Sequence, residues 1–269
     1  MAHLVAAAGV PHPPRFPELA RRQGADSEIL RLYGEVGRQL RQAGAEVLLI
    51  LDSDHFNTFF LNNFPTFAIG VAPLTAGPNE PVPGLERTAV PVAEEMGNTL
   101  WHQLVRAGFD LAVTQEFEVD HSIMVPLHFL TPSFDLPILP LFVNGLLPPL
   151  PSARRCYQLG QALRHILESL PADTGVALLA SGSISLEVGG PLAGRIDHQW
   201  MDTVLSCLSR GAVEELLNQA TAERMRRAGN VSGELLNWIA VWGATAGRTP
   251  TFLQPQAGYG HAFAVWRWD

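Results

Sequence analysis

Histidines stand beside carboxylates or prolines in three short segments of the chain. These segments are Pro11-His12-Pro13-Pro14, Asp52-Ser53-Asp54-His55 and Asp120-His121-Ser122. Each follows a short apolar run that predicts a strand, and a fourth such segment, 181–185, consists largely of serine and glycine. Loops beyond the carboxyl ends of strands commonly carry the chemistry of α/β proteins. A lone histidine there is usually structural, but histidines at three strand ends indicate a shared site.

Two imidazoles and one carboxylate are the ligands typical of non-haem Fe(II) oxygenases, because they leave positions open for substrate and dioxygen. Zinc accepts the same ligands, so residue types alone leave the metal open. Glu234, which opens a helical pattern at 233–238, is a candidate carboxylate. The alternative is that Glu234 only complements the helix dipole. Asp52 and Asp54 are rival ligands, each equally suited to hydrogen-bond His55 or to cap a turn.

Short apolar runs alternate with longer amphipathic ones along the whole chain. The apolar runs predict strands covered on both faces, at 4–9, 46–51, 66–71, 111–114, 138–143, 176–180 and 262–266. The amphipathic runs predict helices at 27–43, 91–106, 153–170, 199–209, 213–219 and 233–242. This alternation predicts a three-layer α/β/α fold with a mostly parallel central sheet, in a single domain over residues 1–269. We interpret the Pro/Gly-rich stretches 73–84 and 146–151 as long loops.

Composition excludes several classes of function. A formal charge of −8 argues against nucleic acid or an anionic membrane as the main partner. No uninterrupted apolar stretch reaches the ~18 residues of a membrane span. Cys156 and Cys207 lie far apart, which indicates no disulfide framework or cysteine zinc site and suits the cytoplasm. The low charged fraction of 16% favours an apolar surface covered by another subunit.

Several segments resemble class III extradiol dioxygenases, most closely the catalytic β-subunit type of protocatechuate 4,5-dioxygenase and its gallate-cleaving relatives. Asp54-His55-Phe56-Asn57 with 65–70 resembles that family's second metal loop and the strand after it. Val119-Asp120-His121-Ser122 is similar to its Asp-His-Gly segment, and 189–194 and Glu234-Leu235-x-x-Trp238 follow in the same order. These collinear matches cover nearly the whole chain.

The resemblance implies roles for single residues. His12, His55 and Glu234 would bind Fe(II), and His121 would hydrogen-bond the substrate or bound oxygen. The substrates would be a phenolic or catecholic aromatic compound and O2, with ring opening next to a vicinal diol. The metal would act as a Lewis acid and a template for both reactants. Substrate contacts are expected from Pro13, Asp54, Ser185, Leu186 and His261.

One position departs from the family's pattern. Its Ser-Gly-Gly-x-Ser-His segment ends in a histidine that serves as general base or acid, and here Ser181-Gly182-Ser183-Ile184-Ser185 runs on to Leu186. Leucine cannot exchange a proton, and losing a positioned base typically costs about 10²–10⁴-fold in rate. Glu187, His198 and His261 are the candidate substitutes.

Three hypotheses therefore compete. The first is a working Fe(II) dioxygenase that lacks the usual base. The second is a metal-binding but catalytically silent subunit paired with an active chain. The third is another metal-assisted reaction, such as hydrolysis or decarboxylation. Some relatives add a small lid chain over the active site, so we expect either a homo-oligomer or a hetero-oligomer with such a subunit.

Overall fold

The structure is a computed structural model that describes residues 3–171, 173–256 and 258–268. Its main sheet has eight strands in the order β6-β3-β7-β2-β8-β1-β10-β9. These strands are β1 His3–Val10, β2 Val47–Asp52, β3 Phe67–Gly70, β6 Ala112–Thr114, β7 Ile138–Val143, β8 Gly175–Ser181, β9 Phe252–Pro255 and β10 Ala262–Arg267. A separate antiparallel hairpin pairs β4, Leu74–Gly77, with β5, Thr88–Pro91.

The four central strands of the sheet run parallel, and the strands that flank them on either side run antiparallel to them. β7, β2, β8 and β1 pair in parallel in that order. β10 pairs antiparallel with β1, and β3 pairs antiparallel with β7. Every residue of β2 and β7 is buried, as expected for strands covered on both faces. The carboxyl ends of four neighbouring strands therefore lie at one edge, where loops can converge.

Helices cover both faces and define two apolar cores. One face carries α1 Phe16–Gln23, α2 Glu28–Gln42 and α4 His121–Leu130. The other carries α3 Glu94–Arg106, α5 Ala153–Ser169, α6 His198–Arg210, α7 Val213–Gln219, α8 Ala222–Ala228 and α9 Leu235–Ala244. The predicted three-layer α/β/α fold with a mostly parallel sheet is confirmed. No helix in the described ranges is long and apolar enough to cross a bilayer.

Local differences from the sequence predictions have physical reasons. The helix predicted at 91–106 begins at Glu94, because Pro91 ends strand β5. The stretch 73–84, interpreted as a loop, contains strand β4. Helix α4 was not predicted, since it is apolar all round and contains Pro126, so it shows little amphipathic period. His121 therefore begins a helix instead of lying in a strand-end loop.

Candidate metal centre

The predicted site segments meet where β2, β8 and β1 end side by side. Leu51 of β2 and Gly9 of β1 both pair with Ala180 of β8, so the residues that follow these three strands leave the sheet together. The hydroxyl of Tyr33 donates a hydrogen bond to the carbonyl of Pro11 and so holds the segment that carries His12. This common edge brings His12, His55 and the 181–185 loop into one cluster.

Glu234 approaches the same edge from a 3-10 turn, Ser232–Glu234, directly before α9. In that helix, the indole N–H of Trp238 donates to the carbonyl of Gly182 at 3.0 Å, and Asn237 Nδ2 donates to the carbonyl of Ser181 at 2.8 Å. A Cβ added at Gly182 would lie 2.7 Å from the Cβ of Glu234, so the loop and the turn touch. The close fit places the buried Glu234 carboxylate beneath the strand ends.

Two imidazoles face one oxygen of that carboxylate. Glu234 Oε1 lies 3.4 Å from His12 Nε2 and 3.2 Å from His55 Nε2. The other oxygen, Oε2, accepts a hydrogen bond from the Ser183 backbone N–H at 2.6 Å. The two rings are 5.3 Å apart and nearly perpendicular. Three donor atoms from distant parts of the chain therefore converge on one point, with the second carboxylate oxygen already occupied.

The outward-facing nitrogens of both imidazoles have partners as well. His12 Nδ1 is 2.8 Å from the hydroxyl of Ser181, and His55 Nδ1 is 3.2 Å from Asp120 Oδ2. Such outer contacts orient a ligand ring and select its tautomer. They leave Nε2 of each ring toward Glu234, which is the arrangement that a metal ligand needs.

The nearby aspartates occupy supporting positions. The Asp54 carboxylate accepts hydrogen bonds from the backbone N–H groups of Asn57, Thr58 and Phe59 and so caps the turn after His55. The buried Asp52 accepts a hydrogen bond from the Ser122 hydroxyl at 2.7 Å. Of the roles left open by the sequence, Asp54 takes turn capping, and its contact with substrate stays a prediction.

His121 lies beside the two other histidines and is held by a residue that sequence reasoning missed. Its ring is 4.5 Å from that of His55 and 5.4 Å from that of His12. Glu80 Oε1 accepts from the His121 backbone N–H at 2.9 Å and lies 2.6 Å from its Nδ1. Glu80 comes from the β4–β5 hairpin, and its plain loop context offered no signal of this contact.

The cluster also contains a second possible donor set. Ligand nitrogens of His12, His55 and His121 all lie within 4.8 Å of one another. Both donor sets share His12 and His55 and differ in whether Glu234 or His121 completes them. We favour Glu234, because its Oε1 is already directed at both Nε2 atoms and because a carboxylate adds the charge that a divalent cation requires.

Burial and charge act in opposite directions on these groups. Burial lowers the pKa of His12, against the attraction of Glu234. Burial also disfavours charge on His55, but Asp120 and Glu234 outweigh it and raise the pKa of that imidazole. For Glu234, burial is outweighed by His12 and His55, which hold its pKa below the ordinary value. Glu234 is therefore ionised at neutral pH, as a metal ligand must be.

The predicted substrate contacts are placed less uniformly. Pro13 and Leu186 are half-buried, next to His12 and on the 181–187 loop respectively. The Ser185 hydroxyl donates to the Ala228 carbonyl and accepts from the Asp197 backbone N–H, both at 2.8 Å. Its contact with substrate stays a prediction. His261 is buried beside Phe16, with ring centroids 5.9 Å apart.

The fold is of the α/β class and its convergent donors form a candidate metal site, and comparison with known proteins gives the family of the chain. The chain matches the family described as the catalytic LigB subunit of aromatic ring-opening dioxygenase over residues 6–266. It belongs to that family, which confirms the resemblance to extradiol dioxygenases.

Similar curated proteins carry related names. A Klebsiella pneumoniae protein named 2,3-dihydroxyphenylpropionate/2,3-dihydroxicinnamic acid 1,2-dioxygenase is 30% identical over 195 residues, which are 72% of this chain and 60% of that protein. A protein of the same name from Escherichia coli O139:H28 is 29% identical over the same coverage. The match thus spans about three fifths of these relatives. The uncharacterized protein JW3007 from Escherichia coli K12 superposes with a TM-score of 0.59 at 16% identity, over 97% of this chain and 99% of that one, which shows the shared fold.

Proposed function

We propose that this protein is a non-haem Fe(II) dioxygenase that opens an aromatic ring bearing vicinal hydroxyls, with His12, His55 and Glu234 as the iron ligands. The observation that carries the proposal is the direction of Glu234 Oε1 toward both imidazole Nε2 atoms, at 3.4 and 3.2 Å. Family membership and the names of the relatives support the ring-opening reaction.

The donor set fits a ferrous ion. Two neutral imidazoles and one carboxylate suit non-haem iron, and each has an outer partner that fixes its orientation. Ser181 and Asp120 hold the rings, and the Ser183 N–H holds the carboxylate. When bound there, iron would polarise the substrate hydroxyls and provide an adjacent position for dioxygen.

His121 would then act on the substrate side of the site. Because a carboxylate oxygen of Glu80 lies 2.6 Å from its Nδ1, the ring would donate from that nitrogen and keep Nε2 for a ligand. In that tautomer Nε2 carries a lone pair and would accept a hydrogen bond from a hydroxyl group of the substrate. Glu80 would be a positioning residue, because it acts through His121.

Oxygen uptake together with metal analysis tests the proposed function. The purified protein is loaded with Fe(II), Zn(II) or Mn(II), and consumption of O2 is followed with catechol, protocatechuate, gallate and 2,3-dihydroxyphenylpropionate. We expect uptake with Fe(II) and at least one vicinal diol, and incorporation of both atoms of labelled dioxygen into the product. His102→Ala, an exposed histidine on α3, is the matched control for His12→Ala.

The alternative functions give different results. Tightly bound iron without turnover of any diol would favour the catalytically silent subunit. Turnover of a substrate under strict anaerobiosis would favour another metal-assisted reaction. Either result would overturn the dioxygenase.

The prediction of an oligomer has support near the site. Phe56, Phe60 and Leu61, on the loop after His55, are 41%, 54% and 77% exposed, and a second subunit would cover such a surface. Light scattering of the purified chain, alone and with candidate lid subunits, measures the oligomeric state. The predicted cytoplasmic location agrees with the buried free thiols of Cys156 and Cys207.

A further inference from the structure

The three candidate substitutes for the missing base differ sharply in their surroundings. His198 is exposed at the first position of α6. The carboxylate of Glu187 lies 3.1 Å from Arg195 and accepts a hydrogen bond from the Asn230 backbone N–H at 3.2 Å. Both groups are therefore engaged or directed away from the metal centre. His261 is only 1% exposed and lies in the interior.

The antiparallel pairing of β1 with β10 places His261 next to His12. In this ladder Gly9 lies opposite Ala264, so His12 follows the last pair by three residues and His261 precedes it by three residues. Residues directly opposite in an antiparallel pair project from the same face. Val10, Phe263 and Val265 share one core cluster, as that rule requires. His12, just after β1, and His261, just before β10, thus lie at the same end of this strand pair, where the candidate metal centre forms.

The backbone before His261 is fixed to the loop that lacks a base. The carbonyl of Gly260 accepts hydrogen bonds from the N–H groups of Ile184 and Ser185, at 3.0 and 3.1 Å. A Cβ added at Gly260 would lie 1.4 Å from the carbonyl oxygen of Ser185, so only glycine allows this approach. Leu186 follows directly. The chain therefore brings an imidazole to the loop from the last strand, although the loop itself has none.

The ring of His261 lies against two aromatic side chains. Tyr259 stacks on it at 5.8 Å with an interplanar angle of 15°, and Phe16 meets it edge-on. Among the described residues, no group forms a hydrogen bond with its buried Nδ1. Leaving a buried polar atom without a partner costs about 1–3 kcal/mol, and such atoms in native proteins commonly have a role in ligand binding or catalysis. The aromatic contacts thus maintain the orientation of the His261 ring, and its Nδ1 stays available for a hydrogen bond to a ligand.

We propose that His261 is a catalytic residue that exchanges a proton with a hydroxyl group of the aromatic substrate, in place of the imidazole absent at Leu186. This rests on the proposed ring-opening function. In the forward step a ring nitrogen of His261 accepts the hydroxyl proton: the O–H bond breaks, its electron pair stays on the oxygen, and an N–H bond forms. The resulting imidazolium returns that proton to the product at the end of the cycle.

Burial determines the protonation state of His261 in the metal-free protein. Burial lowers the pKa of this imidazole to about 4, and the positive potential of His12 acts in the same direction. Glu234 and the Gly260 carbonyl oppose that shift. The ring is therefore neutral at neutral pH, with a lone pair able to accept a proton.

The test compares His261→Ala and His261→Gln with His198→Ala in the iron-loaded protein. Both His261 variants should keep their iron and lose turnover by about 10²–10⁴-fold in kcat, the usual contribution of a positioned acid or base. His198→Ala should equal the parent. His261→Gln keeps size and polarity, so its loss separates proton transfer from packing. Adding Leu186→His to His261→Ala should restore part of the lost activity, because the neighbouring loop then carries the imidazole.

A second readout does not depend on turnover. Anaerobic binding of 4-nitrocatechol reports the ionisation of the bound phenol through its visible absorption, and its pH midpoint should rise in both His261 variants by roughly one unit or more. Unchanged midpoints and unchanged kcat in folded, iron-loaded variants would overturn the role of His261 alone. A parent protein that neither binds the probe nor consumes O2 would overturn the proposed function itself.

Discussion

His12 and His261 are the same chemical group at neighbouring strand ends, yet their surroundings differ. Both are buried, at 4% and 1% exposure. His12 has Ser181 on one nitrogen and Glu234 near the other. His261 has aromatic rings on its faces and no hydrogen-bond partner for Nδ1 among the described residues. An imidazole with both nitrogens engaged is held as a fixed ligand, and one with free capacity can exchange protons with a bound molecule.

The difference follows from the strands that carry them. His12 leaves β1 beside its parallel neighbour β8, where the loop after β8 and the turn before α9 supply polar partners. His261 precedes β10, which pairs antiparallel with β1 and lies near the edge of the sheet. His12 and Glu234 are therefore hydrogen-bonded to the residues around them, whereas the ring of His261 lies against aromatic side chains.

The largest effect should come from removing a proposed metal ligand. His12→Ala and Glu234→Ala should each abolish stoichiometric metal binding and all turnover, because loss of an outer partner alone typically costs about 10–100-fold in metal affinity and a direct ligand costs more. Metal content by mass spectrometry after gel filtration measures this, with His102→Ala as control. A normal iron content in either variant would contradict the distinction between His12 as a metal ligand and His261 as a residue that binds no metal.

A substitution at Gly260 tests the role of His261 without changing any imidazole. Gly260→Ala places a Cβ 1.4 Å from the Ser185 carbonyl oxygen and should displace His261 from the loop. We expect a loss of turnover approaching that of His261→Ala, about 10²-fold or more, with metal content unchanged. Gly34→Ala, in an exposed helical position with open space around it, is the matched control and should be active. Full activity of Gly260→Ala would show that the position of His261 does not matter.

A smaller effect is expected at His121, which is held from one side only. Glu80→Gln keeps the size of the side chain but weakens the contact with Nδ1, so kcat should fall about 10-fold while iron content stays constant. The pH profile of kcat should shift as well, which a purely structural role would not produce. Glu86→Gln, an exposed position in the same hairpin, serves as control. An unaltered pH profile in Glu80→Gln would remove Glu80 from the mechanism.

The smallest effect concerns the stability of the metal-free protein. Because burial lowers the pKa of His261 to about 4, its neutral form is favoured in the folded state, and the unfolded chain binds a proton first as the pH falls. Stability is then fully present above about pH 6.5 and declines toward pH 4, by about 3 kcal/mol at most. Urea unfolding across this range should give a shallower decline for His261→Gln than for the parent. Parallel curves would show that this imidazole is not held neutral.

Sequence reasoning located much of the site because of a general property of parallel sheets. Their strands end at one edge, so His12, His55 and the 181–185 loop had to be near one another once the strands were recognised. Glu234 was one candidate carboxylate beside Asp52 and Asp54, and only the resemblance selected it, since a first-turn glutamate is also typical of dipole compensation. The missing imidazole at Leu186 was visible in the chain, but the choice among Glu187, His198 and His261 was not.

What the sequence by itself determined was the layered α/β architecture and the residue types at the carboxyl ends of its central strands, because apolar periodicity and strand polarity are local properties. The tertiary structure alone decided which distant groups complete the site. Glu80 reaches His121 through a hairpin outside the main sheet, and His261 reaches the metal side through antiparallel pairing with β1. Both contacts depend on the register between segments far apart in the chain, and local residue patterns do not specify such registers.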